Sequence, residues 1–417
     1  MNHGKAGPHN AGVRASSSLS STSTGQLSWR QILEVEARRQ GFQDLGVTDL
    51  SPFRVAGDRA RRALEQGRLA GMPWYHPERV RQATDLSRRF PWGRSLVALA
   101  YPYAPASRPL GPGPRPVAEA RRPRGRVAAY ALGDDYHLRL DRALRGMIEA
   151  LSGRSAGLRW HRFVDHGWAF DRAIAERAGI GFCGKHTQLI SRSSGSYVLL
   201  ASLVLSLELP ADRPSKRGCG TCVACLSSCP TAALAAPGVL TAPLCISYLT
   251  IEHEGPIPAP LRSQMGSWVF GCDLCQEACP INARLSPPPV PTGLASSGLG
   301  PVPFPDLLEL LLLTEPAFEE RFRGTTVRRS GRARLARNAA VALGNQGNRA
   351  AVPGLTRALQ DDPSPWVRGA SAWALARLGG RMARLAVGRA LARERDPAVL
   401  EELQTALAAM PAPVGAV

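Results

Sequence analysis

Blocks of hydrophobic periodicity divide this chain. From Trp29 to about Ala100 apolar residues recur at helical spacing, and the stretch ends in Ser95-Leu-Val-Ala-Leu-Ala-Tyr101, whose apolar run predicts a buried strand. Helical spacing returns over Tyr136–Leu151 and begins again over Phe170–Ala178. Tyr197–Leu207 predicts a second buried strand, and Trp160–Val164 is a shorter apolar-flanked run. Helices and strands in alternation predict an α/β domain over roughly 28–210. Beyond residue 305 the pattern is helical only. There Asn338-Ala-Ala-Val-Ala-Leu-Gly-Asn-Gln-Gly347 is echoed by Ala370-Ser-Ala-Trp-Ala-Leu-Ala-Arg-Leu-Gly379, with Asp361-Asp362-Pro363 as a helix break between them. Paired Ala/Leu-rich helices at that period predict HEAT-like helical repeats over 306–417, the alternative being an ordinary helical bundle. Pro, Gly and Ser mark a linker at 286–305, and prolines and arginines a loop or insertion at 104–124. Residues 1–27 are small and polar without an apolar core segment, and read as a disordered extension rather than a signal peptide.

Composition narrows the partners. At 417 residues the chain has room for two or three domains. Its longest apolar runs, such as Leu307–Leu313, fall far short of the ~18–20 residues of a membrane span, so no membrane is expected. Lysines and arginines number 52 against 33 acids, a formal charge of +19, and lysine occurs only at positions 5, 185 and 216. That excess predicts a polyanionic partner. It is densest between residues 321 and 349, where eight arginines (321, 323, 328, 329, 332, 334, 337 and 349) meet no acid. Arginine's planar fork suits phosphate, and the run predicts a nucleic-acid-binding surface; a plain solvated face is the alternative.

Eight of the nine cysteines fall within residues 219–279, at metal-site spacing, which points to a reducing, cytoplasmic compartment. Cys219, Cys222, Cys225 and Cys229-Pro230 have the spacing of bacterial two-cluster ferredoxins, in which the fourth cysteine serves the other cluster. A second run holds Cys272, Cys275 and Cys279-Pro280, with Val269 where a full motif would carry a cysteine. The swap then assigns Cys219, Cys222, Cys225 and Cys279 to one 4Fe–4S cluster. Cys229, Cys272 and Cys275 go to the other, completed by Cys245. The 211–285 segment is therefore read as a ferredoxin-like two-cluster insert, and zinc as the lesser alternative. Cys183 reads as a packed thiol. Asp165 follows the Trp160–Val164 run, where α/β folds place functional loops; on the residues alone, capping of the next helix is the stronger reading. Gly179, Gly181 and Gly184 follow a helix, so a dinucleotide fingerprint is disfavoured.

Several segments together resemble the epoxyqueuosine reductase family. They are Tyr130-Ala-Leu-Gly-Asp-Asp-Tyr-His137, the stretch Val164–Thr187, Cys245-Ile-Ser-Tyr-Leu-Thr-Ile-Glu252, and Phe270-Gly-Cys-Asp-Leu-Cys-Gln-Glu-Ala-Cys-Pro280. The likeness runs from about residue 28 to 380. It implies reduction of epoxyqueuosine to queuosine at the wobble position of tRNA anticodons, the last step of queuosine biosynthesis. It further implies two 4Fe–4S clusters and cobalamin in an α/β cobalamin-binding domain, an external low-potential electron donor, and a monomer. Within it Asp165 becomes the proton donor, and Ser247 and Arg81 candidate cobalamin contacts. His186 and Cys183 depart from the family's usual residues. Asp135-Tyr-His137 lacks the glycine of the signature that places histidine on cobalt, which implies cobalamin without a protein histidine on the metal. Three other functions compete. A dehalogenase-like cobalamin reductase of a small molecule would not need the arginine-rich tail. A ferredoxin-type carrier would leave about 180 N-terminal residues and the C-terminal repeats without a role, and a nucleic-acid-binding protein with structural clusters would not retain cobalamin.

Overall fold

Ser28 opens the first helix with a capping box. Its side chain accepts from the Gln31 amide while the Gln31 side chain reaches back to the Ser28 amide. The computed structural model describes residues 27–103, 122–165, 167–285 and 302–410. The predicted extension, most of the 104–124 insertion and most of the 286–305 linker lie outside the described residues. In chain order the first region runs α1 (Trp29–Arg39), β1 (Asp44–Thr48), α2 (Arg54–Glu65), α3 (Pro77–Thr84), α4 (Leu86–Arg89), β2 (Ser95–Pro102), β3 (Arg126–Val127), α5 (Tyr136–Ser152), β4 (Trp160–Phe163), α6 (Asp171–Arg177), β5 (Gly181–Cys183), β6 (Leu189–Ser191) and β7 (Val198–Leu205). A four-stranded sheet in the order β1-β2-β7-β4 forms its centre, every neighbouring pair antiparallel. β2 is buried along its whole length, which is why it reads as an unbroken apolar run. Successive side chains face opposite ways: Val97, Leu99 and Tyr101 join the core under α1 and α5, while Leu96, Ala98 and Ala100 join the core under α6. β1 interrupts what the sequence pattern presented as continuous helix. It is five residues long and sits at the sheet edge, too short to impose a period of two.

The cysteine segment is made of short pieces: α7 (Ala224–Ser227), β8 (Leu234–Ala236), β9 (Val239–Leu240), α8 (Ile246–Ile251), α9 (Ala259–Arg262), β10 (Trp268–Phe270), α10 (Leu274–Glu277) and α11 (Pro280–Arg284). The two cysteine runs supply α7 and α10, which pack together. Helices follow: α12 (Leu307–Leu311), α13 (Glu315–Arg321), α14 (Gly331–Gln346), α15 (Val352–Asp361), α16 (Pro365–Leu378), α17 (Arg381–Leu391) and α18 (Pro397–Ala409). The echoed segments lie in α14 and α16, which pack closely, and α15 ends at Asp361 where the break was predicted. This helical region shares one apolar core with the cysteine segment: Ile246, Leu249, Trp268 and Phe270 pack into the same cluster as Leu335, Ala339, Leu355 and Leu375. β10 also pairs in parallel with β3 of the first region, so three stretches of chain close around it.

The arginine run is not the open basic face its local sequence predicts. Acids from elsewhere in the chain reach most of it: Arg321 pairs with Glu309, Arg328 with Glu319, Arg329 with Glu252, Arg332 with Asp362, and Arg334 with Glu254. Arg337 is fully buried and donates to the carbonyls of Leu249, His253 and Gly255. Arg349 donates to the Leu378 carbonyl. A reading of acids within the run could not see acidic partners outside it, from 9 to 80 residues away.

Candidate active site

Asp165 stands two residues beyond the end of β4, with φ 51°, a left-handed conformation that few non-glycine residues adopt. Asx side chains tolerate it best, and such strain concentrates at functional sites. Helix α6 begins at Asp171 behind Phe170, so Asp165 does not cap it. Its side chain is 65% exposed and accepts a short hydrogen bond from the Tyr136 hydroxyl at 2.5 Å. His137 Nε2 lies 4.0 Å from the same carboxylate oxygen, and its Nδ1 lies 2.8 Å from Asp135 Oδ1. Helix α5 makes this possible. Asp135 caps it by accepting from the His137 amide, which fixes the Tyr136 and His137 rings in a stack 4.1 Å apart. Burial, then the nearby Asp165 charge, raises the Tyr136 and Tyr130 hydroxyls well above their ordinary pKa, so both remain donors. Burial also raises Asp171 to about 7, with Asp165 adding to the effect, and its Oδ1 is buried without a partner among the described residues.

Arginine–aromatic pairs lie on nearby elements: Tyr130 feels both Asp165 and Arg329, and Asp171 feels both Asp165 and Arg79. Arg329, from the turn before α14, sits over Trp74 while pairing with Glu252 at the end of α8. Arg79 lies over Tyr75, and Arg89 over Trp168, which meets His76 edge-on. The loop carrying Trp74 and Tyr75 is pressed onto the cysteine segment at Gly71. A Cβ there would stand 1.7 Å from the Tyr248 hydroxyl, so only glycine lets the loop pass.

The cysteines gather in two groups. Burial raises Cys225, and charges on Cys219 and Cys279 would raise it further; Cys219 and Cys279 also share a small apolar cluster with Phe182 and Ile190. In the second group burial raises Cys245, Cys272 and Cys275, and the mutual repulsion of Cys245, Cys229, Cys272 and Cys275 adds to it. Cys275 also feels Cys225, so the groups adjoin. Cys222 lies in the turn closed by its amide on the Cys219 carbonyl. Among the described residues no three His, Cys, Asp or Glu side chains converge as a single ion requires; a cubane asks instead for thiolates on separate iron corners.

These arrangements have counterparts. Residues 84–166 match the family model described as "Epoxyqueuosine reductase QueG, DUF1730", residues 218–282 the 4Fe-4S double cluster binding domain, and residues 325–414 HEAT repeats. The epoxyqueuosine reductase of Escherichia coli (strain K12) is 36% identical over 306 residues, covering 73% of this chain and 78% of that protein. The chain belongs to the epoxyqueuosine reductase family. The Bacillus subtilis (strain 168) epoxyqueuosine reductase is 32% identical over 375 residues, 89% of each chain. Two solved structures agree in fold. One is an epoxyqueuosine reductase crystallised with a tRNA-Tyr epoxyqueuosine-modified stem loop (TM-score 0.83, 30% identity, 91% of this chain and 98% of that one). The other, from Bacillus subtilis, is described with its catalytic loop swung out of the active site (TM-score 0.82, 30% identity, 92% and 99%). As a member of the epoxyqueuosine reductase family the chain is an oxidoreductase carrying a double-cluster 4Fe–4S domain, and its C-terminal helices are HEAT repeats.

Not every predicted residue joins Asp165. Arg81 lies on an exposed face of α3, its side chain 75% exposed and paired with Glu78. Ser247 sits in α8, where its amide, with that of Tyr248, points at the Cys245 thiol. His186 is buried, its pKa lowered to about 4 by burial, and Cys183 is half-buried with its thiol raised to about 11, also chiefly by burial. Tyr136 received no role from the sequence, and His137 only the exclusion of a cobalt-ligand role, though the Asp-Asp-Tyr-His run was singled out; Arg329 was marked only as one of the 321–349 arginines, not as a partner of Trp74 and Glu252. Among the described residues no helix is long and apolar enough to cross a membrane.

Proposed function

We propose that the chain reduces epoxyqueuosine to queuosine at the wobble position of tRNA anticodons, with Asp165 as proton donor. The observation that carries this is Asp165 itself: an exposed carboxylate held in a left-handed turn against the Tyr136 hydroxyl, in a chain of this family. Removing the epoxide oxygen consumes two electrons and two protons and yields an alkene and water. In this reading the Asp165 carboxyl would give a proton to the departing oxygen, and Tyr136 would orient it by donating to Oδ2. The eight cysteines would hold two 4Fe–4S clusters in the groups described. The adjoining thiols give electrons a short path between them.

Cobalamin suits the face around Asp165. Trp74, Tyr75 and Trp168 offer flat apolar surface, and Arg79, Arg89 and Arg329 offer donors, a combination that a corrin ring and its amide arms can cover. When bound, cobalamin supplies a metal centre able to accept low-potential electrons and pass them to carbon. Tyr130, Tyr136 and the Trp74 loop would then exclude water from the carboxyl. We read the flipped base of an anticodon loop as the substrate, since RNA is recognised through splayed bases stacked on aromatic and arginine planes, and the solved relative holds such a stem loop. The enzyme would work as a monomer in the cytoplasm, fed by an external low-potential donor.

The test is anaerobic incubation with epoxyqueuosine-containing tRNA, cobalamin and a low-potential reductant, scored for queuosine by nucleoside mass spectrometry. The unaltered chain should form product and the Asp165→Asn variant should not, with iron and cobalamin content equal in both. Absence of product from the unaltered chain overturns the function; product at an undiminished rate from the variant overturns the role of Asp165.

A further inference from the structure

The first cysteine group lies beneath a basic edge that the chemistry at Asp165 does not use. From residue 213 to 251 the sequence contains no acid, and its charges are Arg213, Lys216 and Arg217, all exposed. Lys185 comes to the same place from the turn between β5 and β6. Its amide donates to Cys219 Sγ at 3.4 Å and its ammonium to the Gly220 carbonyl at 2.7 Å. Two of the chain's three lysines are thus at this edge, in a protein that otherwise uses arginine. No carboxylate pairs with any of the four among the described residues, in contrast to the 321–349 run, where distant acids neutralise most charges. Within the edge the backbone is bare. Gly218 and Gly220 have open space where a side chain would be, and Val223 is 48% exposed.

We propose that Lys185, Arg213, Lys216 and Arg217, around the exposed backbone of 218–223, form the docking surface for an acidic one-electron carrier protein that loads the cluster held by the first cysteine group. The proposal rests on that group holding a cluster. Redox encounters use small interfaces, below about 1,200 Å², and depend on complementary charge for their rate. Four exposed or solvent-reaching cations without acid partners among the described residues, beside the exposed Val223 on the cysteine loop, meet both needs. RNA is the other polyanion to consider. It is disfavoured here because the edge is built on the thiol loop and, among the described residues, offers no arginine–aromatic pair for a stacked base, whereas such pairs occur elsewhere, as Arg79 over Tyr75 and Arg329 over Trp74. Each encounter moves one electron from the reduced carrier to the oxidised cluster, with no bond made or broken. Two encounters supply the two electrons that epoxide removal consumes.

The test uses the full chain with its clusters in place, Lys216→Glu/Arg217→Glu and, separately, Arg213→Glu, with a small acidic 2Fe–2S ferredoxin as probe. Calorimetric titration should show ferredoxin binding that weakens with salt in the unaltered protein and is lost in the double variant. The rate of cluster bleaching by reduced ferredoxin should fall about tenfold or more. Bleaching by a small photoreduced deazaflavin, and affinity for a tRNA stem loop, should stay unchanged. Ferredoxin binding and bleaching that ignore both charge reversals overturn the docking surface, as does a loss of stem-loop affinity that leaves ferredoxin transfer intact. A chain without iron and sulfide overturns the cluster reading beneath it, an outcome that metal analysis separates from the other two.

Discussion

Arg337 should be among the most costly side chains to truncate outside the active site. It is fully buried, with no carboxylate beside it, and its guanidinium donates to three carbonyls at 2.6, 2.7 and 2.9 Å, all in the stretch 249–255 that continues α8 from Cys245. Asn338, its neighbour, accepts from the same guanidinium and donates to the carbonyls of Thr250 and Val269. Burial, with Arg334 and Arg262 adding repulsion, lowers the guanidinium pKa to about 9, so keeping the charge there already costs free energy. Replacement by alanine removes that cost but orphans three buried acceptors, each worth about 1–3 kcal/mol, and leaves a void. The net loss should be about 3–5 kcal/mol, the orphaned carbonyls and the void being partly offset by relief of the buried charge. Arg337→Met fills most of the void without the charge and should lose less. Arg328→Ala, which removes an exposed pair with Glu319, should cost no more than about 1 kcal/mol. Urea unfolding followed by circular dichroism measures all three, and iron analysis of Arg337→Ala should show loss from the group containing Cys245. An Arg337→Ala midpoint equal to that of Arg328→Ala, with full iron content, would refute the reasoning.

Two further outcomes are expected. Asp171, with an ordinary value of 3.8, is raised to about 7 by burial and by Asp165. The folded state therefore keeps a proton that the unfolded chain has released, and stability falls as pH rises from about 4 to 7. Asp171→Asn should accordingly stabilise the protein at pH 8, by no more than ~4 kcal/mol, and change little at pH 4; a gain that is the same at both pH values contradicts it. Tyr136→Phe removes the hydroxyl that orients Asp165 and should slow single-turnover reduction roughly tenfold to a hundredfold with stem-loop affinity unchanged. An unaltered rate would dismiss the orienting bond.

What the sequence disclosed was what neighbours in sequence decide. Cysteine spacing suggested which thiols lie near one another, and α7 and α10, one from each run, pack together. The buried strands β2 and β7 announced themselves by apolar runs, and the α14–α16 repeat by its echo. Charge could not be read the same way. Arg332 looks unpaired until Asp362, thirty residues on, folds back to it, and Arg337 looks like a phosphate ligand until three carbonyls enclose it. Asp165 was legible through resemblance, but its left-handed turn and the Tyr136 hydroxyl behind it arise only when β4 and α5 meet.

The parallel pairing of β10 with β3, and the apolar core it anchors, bears on how this protein can be divided. Val127 and Ala128, from the first region, are buried in the same cluster as Leu307 and Leu310 of the repeats. A chain cut at residue 305 would lay bare one wall of that cluster, together with the carbonyls that Arg337 and Asn338 now cap. The HEAT repeats are therefore less an appendage than the back half of the electron-transfer module, and deletion analysis of substrate binding would measure collapse instead. Separating recognition from folding here calls for single exposed side chains such as Arg329, changed one at a time.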